Sequence, residues 1–323
     1  MLIMYQVLRV VRFKNLLIVA ATLYLMRYCI VQPLLHIKNL ELQLSDFSFL
    51  LLTLATVFIT AAGYVINDYF DTRTDLVNRP QTVIVGRSLS RRMAITLHTV
   101  FNIIGVALGL IVSISIGKPV LSLLFFFVAG LLWFYSTTYK RQFLLGNLIV
   151  ATLTATVPLI TLLFELPRLY TVYWEMVARF DIKLGIITYW VGGYALFAFL
   201  LTLVREIIKD IEDFEGDQVF GRNTIPVFLG KKVARTVAAS ILFFTLIALV
   251  FLFARYLNFL PSGNVDYYTL IYFIVALVIP ICVLLVMLLT AENKEDFHRA
   301  SRLNKLIMLF GLLYTILFRF LIV

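Results

Sequence analysis

The stretch Phe49–Asp75, FLLLTLATVFITAAGYVINDYFDTRTD, decides how the rest of the chain is read. From Phe49 to Ile66 it carries no charge, and a run of about 18 such residues is long enough to cross the hydrocarbon core as a helix. Three carboxylates, Asp68, Asp71 and Asp75, then follow abruptly. Acids at the mouth of an apolar helix are costly unless something neutralises them, and they mark function.

Apolar runs of this kind recur along all 323 residues, of which 62% are hydrophobic and 14% charged. An ordinary soluble domain is roughly 45–50% apolar. With a mean hydropathy of +0.97, the sequence reads as an all-α polytopic membrane protein. About nine spans are expected, at 16–35, 46–66, 93–116, 119–136, 143–164, 185–204, 233–256, 266–290 and 305–322. Gly117 and Pro119 predict a tight turn between the third and fourth. No linker or low-complexity tract interrupts the pattern, so residues 1–323 are expected to form a single membrane domain around a central cavity.

The net charge of +10 does not point to nucleic acid, because Lys and Arg gather in the short connections 67–92, 137–142, 205–232 and 291–304. The loops on the other side carry far fewer. This positive-inside bias predicts a cytoplasmic N-terminus and a cavity that opens to the cytoplasm. The expected location is the inner membrane of a prokaryotic cell. The N-terminal MLIMYQVLRVVRFKN reads as a basic interfacial segment leading into the first span. Cys29 and Cys282 suggest no disulfide framework, and His36, His98 and His298 have no ligand spacing.

Half of the 18 acids lie in two stretches, NDYFDTRTD and REIIKDIEDFEGD. Asp68, Asp71 and Asp75 stand at i, i+3, i+7, and so do Asp210, Asp213 and Asp217. On a helix those offsets share one face. Glu206 extends the second face towards the membrane, Asn67 flanks the first, and Glu212 and Glu215 are expected to point elsewhere into solvent. A divalent cation relieves the repulsion of stacked carboxylates. All-oxygen donors suit Mg²⁺, which takes one or two carboxylates together with phosphate oxygens. Two such faces meeting in one cavity can hold two Mg²⁺ ions with a diphosphate between them. Arg73, Lys140, Arg141, Arg205, Lys209 and Arg222 lie on the same side, within reach of phosphate oxygens. Tyr64, Tyr69, Tyr135 and Tyr139 offer π faces to a carbocation. Gly216, Gly221 and Gly230 read as turn residues, since no strand precedes them.

At these motifs the sequence resembles the UbiA superfamily of intramembrane prenyltransferases. NDYFDTRTD matches its N-D-x-x-D-x-x-x-D motif and KDIEDFEGD its second aspartate motif. Further matches are Asn78–Pro80 (NRP), Tyr135–Arg141 (YSTTYKR) with Gly146 and Asn147, and Gly221–Gly230 (GRNTIPVFLG). REIIKDIEDFEGD looks most like the geranylgeranylglyceryl-phosphate geranylgeranyltransferase branch. The first loop departs from the usual pattern, with QTVIVGRSLSRR after Pro80 where a second Arg-Pro is common.

The resemblance implies an allylic polyprenyl diphosphate donor and a lipid or aromatic acceptor, geranylgeranylglyceryl phosphate or a quinone precursor. It implies Mg²⁺ held by Asp68, Asp71, Asp75, Asp210, Asp213 and Asp217, with Asp68, Asp71, Asp210 and Asp213 essential to catalysis. Asn67, Arg73, Lys140, Arg141, Lys209 and Arg222 are then expected on the diphosphate, and Glu206 in support. A cation transporter is the alternative from another class, although such proteins usually bind ions at broken helices near the bilayer midplane. A CDP-alcohol phosphotransferase is disfavoured because neither motif contains D-G-x-x-A-R.

Overall fold

The computed structural model describes residues 2–179, 183–257 and 266–322. Nine helices among them are long and apolar enough to span a membrane: α1 (Phe13–His36), α2 (Asp46–Asn78), α3 (Arg91–Ser115), α4 (Pro119–Thr137), α5 (Leu145–Val172), α6 (Gly185–Glu212), α7 (Lys231–Leu257), α8 (Tyr267–Thr290) and α9 (Lys294–Ile322). Their number and order are those expected from the hydrophobic runs. The chain is an integral, multi-pass membrane protein.

The main departure is length. α2 was expected to end near residue 66 but runs on to Asn78. Its 33 residues rise about 50 Å at 1.5 Å each, well beyond an apolar core of about 30 Å. The overshoot carries Asp68, Asp71 and Asp75 clear of the lipid on a continuous helix. Pro80 disfavours helical geometry at Arg79 and so fixes where α2 stops. At the other end Ser45 caps the helix, its hydroxyl accepting the Ser48 N–H at 3.1 Å. α3 is capped in the same way by Ser90 through the Met93 N–H. Gly117, at φ 72°, makes the expected turn into α4.

α2 packs against α3 and α4, α5 against α6, and α6 against α7 and α9, while α1 lies between α2, α5 and α9. Lipid supplies no hydrophobic drive for helix association, so close packing and buried polar contacts must supply it. Gly105 and Gly109 of α3 show the first device. A Cβ on Gly105 would lie 2.6 Å from Ile59 of α2, and one on Gly109 would lie 2.3 Å from Phe125 of α4.

The second device lies at the end of the bundle away from the aspartates. Arg27 of α1 and Glu165 of α5 are both fully buried, with Nη1 and Oε2 3.1 Å apart. Glu165 also accepts the N–H groups of Gln43 and Leu44, and Arg27 donates to the Leu44 carbonyl and to Asp46. The guanidinium lies over the Phe49 ring, 4.5 Å from its centre. One ion pair thus ties α1, the connection to α2, the first turn of α2, and α5.

Removing one partner of a buried ion pair strands the other charge. Glu165→Ala is therefore expected to destabilise the fold by about 3–5 kcal/mol. The joint substitution Arg27→Met, Glu165→Leu is expected to recover most of that loss. Thermal unfolding of the purified protein in detergent measures both.

Candidate active site

An apolar cavity of about 360 Å³ opens between α1, α2, α4, α5, α6 and α9. Ile18, Met26, Ile59, Phe125, Val157 and Leu312 are among its walls. Its polar end is formed by Arg12, Asn15, Tyr64, Asn67, Tyr135, Arg205, Glu206, Lys209 and Lys305. Asn67 of the first stretch and Arg205, Glu206 and Lys209 of the second line this end, and the aspartates adjoin it through Arg12 and Arg222.

The first motif keeps its single face. Asp71 sits between two cations, 2.7 Å from Lys140 Nζ and 2.5 Å from Arg222 Nη2. Lys140 also reaches the Asn67 amide oxygen at 3.4 Å, and Arg222 donates to Thr74 Oγ1 at 2.9 Å. Asp68 accepts from Arg12 at 2.8 Å, while Arg12 stacks over Tyr64. Asp75 is half-buried on the same face, with no hydrogen bond to its carboxylate among the described residues.

The second motif is not one helix. α6 ends at Glu212, Asp213 adopts φ −95° and ψ 8°, and a separate helix runs from Phe214 to Val219. Asp217 therefore rides on a different element from Asp210, and it approaches Arg222 at 3.3 Å. Gly216 presses on Asn78 at the end of α2, and its N–H donates to Asn78 Oδ1 at 2.9 Å. A Cβ there would lie 2.4 Å from that oxygen, so Gly216 is a packing residue and not the turn glycine expected. Gly221 and Gly230, both at positive φ, are turn residues as read. Asp210 accepts from Asn147 Nδ2 at 2.8 Å, and Asp213 takes two contacts from Arg79, at 2.9 and 2.7 Å.

Other expectations need correction. Glu212 is buried and not solvated, with His298 Nδ1 3.0 Å away, and at 3.6 Å it shares Arg79 with Asp213. Glu215 is exposed, as expected. Arg73 is exposed and is not brought to the aspartates, because its helical position turns it away from Asp71. Arg141 is also exposed, and only its backbone carbonyl reaches Asn223. Lys209 pairs with Glu206 at 3.0 Å. Tyr64 and Tyr135 line the cavity, whereas Tyr69 stacks beneath Arg91 and neither it nor Tyr139 is part of the wall. Arg12, Arg79 and Asn147 were not expected as carboxylate partners. Asn147 and Arg79 each had a trace in the sequence, the Gly146–Asn147 pair and the Asn78–Pro80 stretch.

The electrostatics follow from crowding and burial. Burial pushes the Lys140 ammonium below its usual range, against the pull of Asp71. Burial also raises the carboxyls of Asp213, opposed by Arg79, and of Asp217, which is pushed up to about 6 against Arg222. The oxygen-only donor set fits a hard divalent cation. Among the described residues no three acidic, histidine or cysteine groups cage an ion by themselves. A divalent cation bound by one or two of these carboxylates would need phosphate oxygens to complete its shell.

Residues 40–316 match the profile of the UbiA prenyltransferase family. The digeranylgeranylglyceryl phosphate synthase of Methanothermobacter thermautotrophicus is 31% identical over 270 residues, covering 80% of this chain and 81% of that protein. The Pyrococcus horikoshii enzyme of the same name is 33% identical over 203 residues, covering 62% of this chain and 63% of that protein, just under two thirds of its length. A solved structure of digeranylgeranylglyceryl phosphate synthase in membranes matches with a TM-score of 0.63 and 23% identity over 98% of both chains. A UbiA homolog from Archaeoglobus fulgidus, bound to DMAPP and Mg²⁺, matches with a TM-score of 0.55 and 15% identity, over 95% of this chain and 97% of that one. At such identities the structures establish a shared fold. With the family profile spanning most of its length, the chain belongs to the UbiA prenyltransferase family and is an intramembrane prenyltransferase.

Proposed function

We propose that the protein transfers a polyprenyl group from an allylic polyprenyl diphosphate to geranylgeranylglyceryl phosphate, with release of diphosphate. The observation that carries this reading is the convergence of two aspartate motifs, cross-linked by Arg222 through Asp71 and Asp217, beside an apolar cavity. The acceptor is supported by the relatives named digeranylgeranylglyceryl phosphate synthase. Clusters at helix ends also disfavour the ion-transporter reading, which would want them near the midplane. The positive-inside bias supports a site facing the cytoplasm of a prokaryotic cell.

In this reading Asp68, Asp71, Asp75, Asp210, Asp213 and Asp217 would hold Mg²⁺, each ion taking one or two of the carboxylates. When bound, Mg²⁺ neutralises the diphosphate charge and favours its departure. Lys140 and Arg222, already poised among the carboxylates, contact phosphate oxygens, and Lys209 and Asn67 border them. Asn147 fixes the Asp210 carboxylate by its hydrogen bond. As the allylic C–O bond ionises, the apolar walls exclude water from the cation, and the faces of Tyr64 and Tyr135 stabilise it. The acceptor hydroxyl then attacks the allylic carbon and loses its proton.

Asp68→Ala, Asp71→Ala or Asp210→Ala is expected to lower prenyl transfer by about 100-fold or more without preventing membrane insertion. The assay is transfer of labelled geranylgeranyl diphosphate to geranylgeranylglyceryl phosphate, beside a panel of aromatic acceptors, with products identified by mass spectrometry. Wild-type activity in all three variants removes the mechanism, and products from aromatic acceptors alone replace the acceptor.

The raised Asp217 carboxyl makes a separate prediction for metal-free protein. Its protonated form favours the fold fully below the ordinary carboxylate value of about 3.9. That contribution is lost as the pH rises through about 6. The stability difference between wild type and Asp217→Asn is therefore expected to shift against wild type over this window. Saturating Mg²⁺ with diphosphate should offset the shift. Unfolding temperatures of both proteins across the pH range give the comparison.

A further inference from the structure

A second group of cations lines the same cavity on the side of α1 and α9. Lys305 of α9, Arg205 and Lys209 of α6, and Arg12 at the head of α1 all contribute to its wall. Lys305 is exposed and donates to Asn15 Oδ1 at 2.7 Å, so its only hydrogen-bond partner among the described residues is neutral. Arg205 Nη1 and Lys209 Nζ share one carboxylate, Glu206, at 3.0 Å each. The buried Arg205 Nε has no hydrogen-bond partner. Arg12 is held by Asp68. Four cations thus face two carboxylates, a surplus of two positive charges beside an apolar cavity.

This surplus is not part of the aspartate clamp. Lys140, Arg222 and Arg79 each touch an aspartate of the two motifs, whereas Lys305, Asn15 and Arg205 touch none. Arg12, through Asp68, and Lys209, which borders the diphosphate, belong to both groups. A phosphate monoester carries about −1.5 to −2 charges at neutral pH and offers several strong acceptor oxygens. A diphosphate alone would leave this second surplus uncompensated.

We propose that Lys305, Arg205, Asn15 and Arg12 form a second anion subsite that receives the phosphate monoester of a lipid acceptor. The inference rests on the phosphate-bearing acceptor proposed above and adds the residues that select it. The acceptor's phosphate sits against α1 and α9, while its hydrocarbon tail follows the apolar wall past Ile18 and Leu309. Arg12, between the two subsites, holds the acceptor headgroup next to the donor.

The test compares Lys305→Gln and Arg205→Gln with wild type in proteoliposomes, using geranylgeranyl diphosphate as donor. Two acceptors are used: geranylgeranylglyceryl phosphate and its phosphate-free alcohol, geranylgeranylglycerol. Each variant is expected to raise KM for the phosphate acceptor about tenfold or more, with KM for the donor changed less than about twofold. The penalty should vanish with the alcohol, and Lys305→Arg should restore most of the affinity. A variant whose acceptor KM is unchanged, or whose loss is equal for the alcohol or falls on the donor, overturns the inference while leaving the proposed reaction intact. Failure of wild type to use the phosphate acceptor overturns both.

Discussion

The arrangement depends on Asp71 being held between Lys140 and Arg222. Carboxylates crowded beside an apolar cavity repel one another, by about 4 kcal/mol for a pair 4 Å apart at an effective dielectric of 20. The two cations offset that repulsion and join three segments distant in sequence: α2, the turn between α4 and α5, and the loop that follows α6. Asn78 adds a neutral tie from α2 to Gly216. The active end of the bundle is thus braced across its opening by polar contacts, while lipid-facing surfaces need no such ties.

Prenyl transfer from a diphosphate needs charge concentrated at the leaving group and dryness at the carbon it leaves. The fold separates these needs along its axis. Overshooting helices lift the aspartates out of the apolar layer, and below them the cavity walls turn to Ile59, Val157 and Leu312. The cations are in place before any substrate arrives, so little reorganisation is required when charge develops.

Much of this was legible in the sequence, for definite reasons. Runs of about 20 apolar residues have one stable outcome in lipid, and this made the nine spans readable. Asp68, Asp71 and Asp75 were readable because α2 stays helical through all of them. The second motif was only partly so. Its spacing matched, but the helix ends at Glu212 and the next one packs through Gly216 on Asn78, a contact 138 residues apart that no local pattern encodes. Arg12, Arg79 and Asn147 escaped for the same reason, since each finds its carboxylate on a distant segment. Arg73 and Arg141 show the converse error: nearness in sequence to an active residue did not put them on its face.

The ion pair at the opposite end has a consequence for biosynthesis. Arg27 enters the bilayer with the first span, and Glu165 is made 138 residues later. Asp46, an exposed partner, follows after 19 residues, but at about 5–20 residues per second the arginine waits on the order of ten seconds for its buried one. An arginine in a span costs about 2.5–3.5 kcal/mol on insertion scales, and Asp46 offsets this only in part because it is itself exposed. During that interval the first helix is held only weakly across the membrane. Arrival of the fifth span then locks it, so the nascent chain passes a checkpoint midway through its synthesis.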